Sequence, residues 1–342
     1  MSRMNALGDR IKGYEAQETE RRAMKGLPLV ARVDGRSFST FTAGMRRPYD
    51  EDLANLMVDV AKYLVEQVSG ARVAQTQSDE ISLIMDPFGA PSAAEALRCL
   101  EFHLAREEER DFDAAIAELD EDTAEDADRR DWLEKERVCS ARSIAMMRQW
   151  IDEIRRGLPV PDQAVDFMFS GKMFKLTSII ASLATARFVV DAVRLWPERC
   201  AKQLPVFDCR VFPVPSRAEA VAALMWRELD ATVNAVSMAA RAHFSPGELH
   251  GKTAAQMQEM LFQRHGINFN DYPARFRRGV YIRRRSVAVD LPAEVMARIP
   301  EQHRPSEPVQ RRETVCLDLP PIAKIVNRVE VLLDGAEPVM GA

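Results

Sequence analysis

The chain has 342 residues, 46% of them hydrophobic and 29% charged, which fits a soluble globular protein with material for one large domain or two ordinary ones. No apolar stretch approaches the roughly 20 residues a bilayer requires, and the N-terminus shows no apolar signal segment. The five cysteines are scattered with no C-x-x-C pair, which argues against a disulfide framework or structural zinc and makes the cytoplasm the expected compartment. The net charge of −5 is unevenly spread: residues 86–166 hold 22 acidic against 11 basic residues, and the remainder 36 basic against 30 acidic. A basic body with an acidic insert is compatible with a polyanionic partner.

In chain order, Leu27 to Val33 reads as a short buried strand closed by Asp34-Gly35. Glu51 to Val68 has helical periodicity through Leu53, Leu56, Met57, Val60, Leu64 and Val68. Ala71 to Thr76 and Ile81 to Met85 are two β runs joined by the polar turn Gln77-Ser78-Asp79-Glu80. From Pro87 to about Phe169 the chain is helical and heavily charged, an inserted helical hairpin with Pro159 and Pro161 at its exit. Lys172 to Leu195 is an amphipathic helix, Pro205 to Pro213 a strand, Arg217 to His243 a long helix, Thr253 to His265 a shorter one and Gly279 to Arg283 a strand. The proline-containing tail is expected to be an irregular arm with one or two late strands. The order implies an α+β fold, with a mostly antiparallel sheet covered by helices on one face. The expected divisions are residues 1–86 and 170–285 for the catalytic domain, 87–169 for the acidic insertion and 286–342 for the C-terminal arm.

Two motifs carry the chemistry. In ARVDGRSF, Ala31 to Phe38, Asp34 ends a buried strand, and Gly35 would let a phosphate or metal approach the backbone. The amides of Gly35 to Phe38 would face a triphosphate if the turn leads into a helix. In TQSDEISLI, Thr76 to Ile84, two adjacent acids sit at a hairpin turn. Successive strand residues point to opposite faces, so Asp79 is the better ligand, with Glu80 beside it or on a second ion. Taken alone, each motif equally describes an ordinary solvated turn. Together they form the platform used for two-metal phosphoryl or nucleotidyl transfer, in which Mg²⁺ takes a few carboxylates plus substrate phosphates. The five histidines are isolated and none has zinc-site spacing.

ARVDGRSF, TQSDEISLI, PVFDCRVFP, WRELDATVNAV and GINFND occur in this order, and the whole resembles the tRNA-histidine guanylyltransferase-like family, in its bacterial or phage-type form. The resemblance covers roughly Tyr14 to Met85 and Ser170 to Arg285. It implies a polymerase-palm-like (ferredoxin-like) domain, a homotetramer (dimer of dimers), two Mg²⁺ ions, and ATP and GTP as nucleotide substrates. The implied reaction adds nucleotides to an activated 5′ end of tRNA, in the 3′–5′ direction. By position, Asp34 and Asp79 match the metal-binding aspartates, the Gly35 carbonyl a backbone ligand, and Glu80 the acid beside the second aspartate. Arg32, Arg36, Ser37, Phe38 and Ser78 fall in nucleotide-contacting stretches. Arg47 stands where the family often has a triphosphate-binding lysine, and Asn268 matches an asparagine of its I-N-(aromatic)-N segment.

Members that add G to tRNA-histidine carry H-I-N-N-L-Y-N in the long second-half helix, where this chain has Thr232-Val233-Asn234-Ala235-Val236-Ser237-Met238. The departure favours the template-dependent tRNA 5′-end repair branch over G addition to tRNA-histidine. A non-catalytic tRNA-binding protein would not need both aspartates and Ser78, and a nucleotide cyclase would not need GINFND and a basic C-terminal region. Lys252 takes the place of a phosphate-contacting lysine, because Met257 stands where that lysine aligns. Lys172 and Lys175 share one face at the start of a helix, where cations are disfavoured unless an anion offsets them; two solvated lysines are the alternative. Arg275, Arg277, Arg278, Arg283, Arg284 and Arg285 would contact RNA phosphates or guard a strand edge.

Overall fold

The computed structural model describes residues 3–24, 26–86, 93–119, 124–158, 167–299, 304–305 and 308–341. The elements run α1 (Arg3–Thr19), β1 (Leu29–Arg36), α2 (Phe38–Phe41), α3 (Glu51–Gln67), β2 (Ala71–Gln77) and β3 (Glu80–Met85). Then come α4 (Ala93–Glu108), α5 (Phe112–Ala117), α6 (Ala124–Arg155), α7 (Met173–Leu195), α8 (Pro197–Lys202) and β4 (Val206–Pro213). The last group is α9 (Arg217–Arg241), α10 (Pro246–Leu249), α11 (Ala254–His265), α12 (Ala274–Arg278), β5 (Val280–Val289), α13 (Ala293–Arg298) and β6 (Val309–Leu317). Two compact units result, one of Met1–Glu20 with Pro87–Phe167 and one of Arg21–Asp86 with Met168–Ala342. Helix α1, expected in the first catalytic segment, thus clusters with the helices of the insertion.

The second unit holds an antiparallel six-stranded sheet of order β4-β1-β3-β2-β5-β6. Its first four strands, with α3 joining β1 to β2 and α7 preceding β4, have the split β-α-β wiring of a ferredoxin-like palm. Asp50 caps α3, accepting from the amides of Asp52 and Leu53 at 3.1 Å. Leu56, Met57, Val60, Ala61, Leu64 and Val65 give that helix its buried stripe. Side chains alternate across the sheet, which sorts the strands into two apolar faces. Val30, Ile84 and Val73 lie in register and pack with Ala220, Val221 and Leu224 of α9 and with Ile322, Ile325 and Val331 of the tail. The next row, Ala31, Leu83 and Ala74, is also buried and belongs to the other face, while α3 packs on β2 and β5, and α7 on β4 and β1. The helices expected on one face are α3 and α7; the opposite face is covered too, by α9 and the tail.

Two further expectations change. β5 does not stop at Arg283: it runs on to Val289 and pairs along its length with β6, the late strand expected in the tail. An apolar helix of bilayer length is also present: α7 reaches a mean hydropathy of 1.6 over an 18-residue window. Its Leu176, Ile180, Ala184, Phe188 and Ala192 are buried within the sheet unit, so the length reflects a palm helix.

In the first unit, α4 and α6 bury Leu100, Met147, Ile151 and Ile154 between them. Ion pairs flank that seam, Arg148 with Glu108 at 2.6 Å and Arg155 with Glu101 at 2.9 Å. The acidic composition therefore belongs to a packed helical hairpin whose negative charges are partly matched by its own arginines. The segments 87–92 and 159–166, which include the expected Pro159 and Pro161 exit, lie outside the described residues.

Candidate active site

Three strand ends build the site. β1 carries Arg32 and Asp34 on the face shared with α9, and Asp34 lies in register with Glu80 on β3 and with Asp208 on β4. The Gly35 amide donates to the Asp79 carbonyl at 3.1 Å, which joins the end of β1 to the β2–β3 turn. The two sequence motifs thus meet at one rim. Ser37 and Ser78 both hold left-handed backbone, with φ of 57° and 53°, a conformation that non-glycine residues keep only where their surroundings over-determine it. The Ser78 hydroxyl donates to Asp79 Oδ1 at 3.1 Å and fixes the carboxylate's orientation. Burial pushes the Asp79 carboxyl up from the usual range; hydrogen bonds from its own amide and from Ser78 oppose this, and the charge of Asp34 adds to it.

Glu80, next to Asp79, holds two arginines. Its Oε1 accepts from Arg32 at 2.8 Å and its Oε2 pairs with Arg227. Each oxygen meets a guanidinium group, so Glu80 clamps Arg32 and Arg227 together. Arg227, on α9 and only 8% exposed, also pairs with Asp230 at 3.0 Å. Sequence reasoning passed over Arg227, although the Arg227/Asp230 spacing of three on a helix was its signal. It likewise missed Asp208, whose alternation along β4 places it on the face of Asp34.

The Phe38 side chain is buried, 3% exposed. Its ring packs in the core against Phe41, Phe188 and Phe207 at centroid distances of 5.5, 5.4 and 5.0 Å. This also explains Gly35: a Cβ there would lie 2.4 Å from the Phe38 ring, so the glycine is required by the core as well as by any ligand. Arg36, Ser37 and Arg47 are exposed, at the end of β1 and in the loop before α3.

Lys172 and Lys175 are not brought to the rim. Phe188 packs on Phe38 and Phe207, beside the end of β1. Lys175 precedes it by thirteen residues on the same helix, about 20 Å at 1.5 Å per residue. Asn268 is occupied as a cap, its side chain accepting from the Asn270 amide at 3.1 Å and donating to Asp271 at 3.3 Å. Lys252 is exposed in the turn before α11. The arginine cluster is largely internal bracing: Arg277 donates to the Tyr272 carbonyl at 2.7 Å, Arg278 to Leu319 at 3.2 Å and Arg283 to Val331 at 2.8 Å. Arg284 caps the carbonyls of Val65 and Glu66 at the end of α3, and Arg275 pairs with Glu51.

The donor set fits a hard divalent cation. Two carboxylates approach closely enough for one to raise the other's pKa, and a cation would relieve that repulsion. Among the described residues no group of three His, Cys, Asp or Glu could hold a metal, and a Mg²⁺ site completed by substrate phosphates needs none. The raised Asp79 pKa has a sign that can be checked. A carboxyl shifted up in the fold favours folding below its unfolded pKa and loses that contribution as pH rises through the folded pKa. Metal-free Asp79→Asn is therefore expected to melt above wild type, by a margin that opens as pH climbs from the ordinary 3.8 towards neutrality. Mg²⁺ should raise the melting temperature of wild type and not of the variant. Melts across pH, with and without Mg²⁺, decide it.

Beside this rim lies a cavity lined by Tyr49, Leu53, Met57, Ser78, Met238 and Phe276. Tyr49 stacks on Phe276 at 4.9 Å and donates its hydroxyl to the Ala235 carbonyl at 2.8 Å. Ala235 and Val236 are buried with Phe244, Leu261 and Phe269. The helix segment that departs from the family signature thus serves partly as core packing.

Comparison with known proteins agrees with this architecture. The family model described as tRNAHis guanylyltransferase matches residues 8–90. A tRNA(His) guanylyltransferase of Eremothecium gossypii is 28% identical over 130 residues, covering 34% of this chain and 55% of that protein. An uncharacterized protein of Acanthamoeba polyphaga mimivirus is 22% identical over 298 residues, covering 83% of this chain and 79% of that one. A solved bacterial tRNA(His) guanylyltransferase-like protein in complex with ATP superposes with a TM-score of 0.62 at 23% identity, covering 96% of this chain and 100% of that one. The chain spans about half the length of the first curated relatives it matches, 55% and 51%. Both acid motifs lie on one palm rim and within the matched residues 8–90, so the similarity of this chain to the tRNAHis guanylyltransferase family runs through the candidate site.

Proposed function

We propose that the chain is a nucleotidyltransferase that adds nucleotides, in the 3′–5′ direction and as a template specifies, to the 5′ end of tRNA. The observation that carries this reading is the joining of Asp34 and Asp79 at one rim by the Gly35–Asp79 backbone bond, with the charge of Asp34 felt by Asp79. Asp34, Asp79 and the Gly35 carbonyl would hold Mg²⁺, which when bound supplies charge stabilisation to a transferring phosphoryl group. Ser78 keeps Asp79 turned to the rim, while Glu80 holds Arg32 and Arg227 beside it. Arg36, Ser37 and Arg47 supply donors for the phosphates of the nucleoside triphosphate, GTP or ATP. A relative of the same fold was solved with ATP and another with GTP, which supports that substrate class. Cytoplasmic location and a homotetramer belong to the same reading.

The repair-type assignment rests on α9. Ala235 is buried, Met238 lines the cavity, and Thr232 bonds back to the Glu228 carbonyl at 2.9 Å. None of the three offers a polar group to a specific base, and a missing base contact forfeits about 1–3 kcal/mol of discrimination, by analogy with DNA readout. Phosphate contacts carry no sequence information. Single-turnover assays on 5′-truncated tRNA-histidine and several other truncated tRNAs, each with all four nucleotides, should show templated addition with no tRNA preference. Non-templated G addition confined to full-length tRNA-histidine would reverse the assignment in favour of the G-adding branch.

A further inference from the structure

Trp226 is 55% exposed on α9 although it adjoins the acid rim. The Arg227 guanidinium lies 4.8 Å and the Arg32 guanidinium 5.9 Å from its ring centroid. Both cations are fixed in turn by Glu80, so the ring is set in place by groups that are themselves immobilised. Arg32 and Asp34 share a face two residues apart on β1, about 7 Å along the strand. An open, rigidly held indole therefore lies within one nucleotide's reach of the carboxylates.

We propose that Trp226 is the stacking platform for the terminal base at the 5′ end of the RNA substrate. This rests on the reading of the chain as an RNA 5′-end nucleotidyltransferase and assigns that substrate a site outside the acid rim. The ring offers a π-surface that accepts any base, as a template-directed enzyme requires, and the adjacent arginines complement the phosphate between that base and the next. The incoming nucleotide has a separate place available in the cavity beside Ser78. A protein partner is the competing occupant, because Leu229 and Val233, 52% and 53% exposed, continue the apolar stripe along α9. The two buttressing guanidinium groups favour the nucleic acid.

The test compares wild type, Trp226→Ala and Trp226→Phe by the anisotropy of a 3′-labelled, 5′-phosphorylated single-stranded hexaribonucleotide, and by KM for truncated tRNA and for nucleoside triphosphate. Trp226→Ala should weaken oligonucleotide binding and raise the tRNA KM on the order of ten- to a hundredfold, and Trp226→Phe should restore most of both. The nucleotide KM should not move. Unchanged oligonucleotide affinity in Trp226→Ala overturns the proposal, as does a rise in nucleotide KM alone. A changed sedimentation coefficient with RNA affinity intact overturns it in favour of a subunit contact. Oligonucleotide binding is read without turnover, so a chain that binds through Trp226 yet adds no nucleotide would refute the activity and leave the platform standing.

Discussion

Asp34→Ala or Asp79→Ala is expected to lower nucleotide addition by at least about a thousandfold, since metal charge stabilisation is worth several kcal/mol in the transition state and each 1.4 kcal/mol is tenfold. The fold should survive. Asp79 already carries a cost from burial and from its neighbour's charge, so truncation removes an unfavourable term from the metal-free protein. Binding of tRNA should persist in both variants, because neither substitution removes a basic side chain that could meet an RNA phosphate. Single-turnover rates beside circular dichroism and tRNA titration separate these effects. Turnover near wild type in a folded variant would end the carboxylate mechanism.

Gly35→Ala is expected to damage both the palm and its chemistry. The new Cβ would meet the Phe38 ring at 2.4 Å, and that ring is held by Phe41, Phe188 and Phe207. Overpacking of this kind costs about 1–3 kcal/mol or more, and here the strain falls on the residue between Asp34 and the left-handed turn at Ser37. Chemical denaturation should show the loss, with activity falling further than stability alone explains. Phe38→Ala, itself costly by about 3–5 kcal/mol, should remove most of the additional effect of Gly35→Ala when the two are combined. Strict additivity of the pair would show that the glycine is needed for some reason other than the ring.

Much of the palm was legible in the sequence because its signals are local. β1 to β3 announce themselves by short apolar runs and a polar turn, and α3 by its apolar stripe. The pairing of Asp34 with Asp79 was legible too, since both sit where a strand stops. What the sequence did not show depends on partners distant along the chain. The contact of Glu80 with Arg227, 147 residues later, is one such case. The packing role of the Phe38 ring shows only once α7 brings Phe188 against it. The arginines near residue 280 look like an RNA-binding patch until the carbonyls they brace come from α3 and the tail. The distance of Lys172 and Lys175 from the rim was not legible for a simpler reason: helix length, not sequence neighbourhood, sets it.

Consecutive residues of α9 point in directions about 100° apart, and in this helix two of them are pinned on different sides. Arg227 reaches the clamp at Glu80, while buried Glu228 accepts the Ile322 amide of the tail at 3.0 Å. Pinned at two azimuths, α9 is keyed like a shaft: it cannot roll about its own axis without breaking a buried charged contact. The residue just before the key, Trp226, inherits that fixed heading. The tail, remote from the carboxylates in sequence, thereby sets the compass bearing of the one large aromatic that α9 presents beside them.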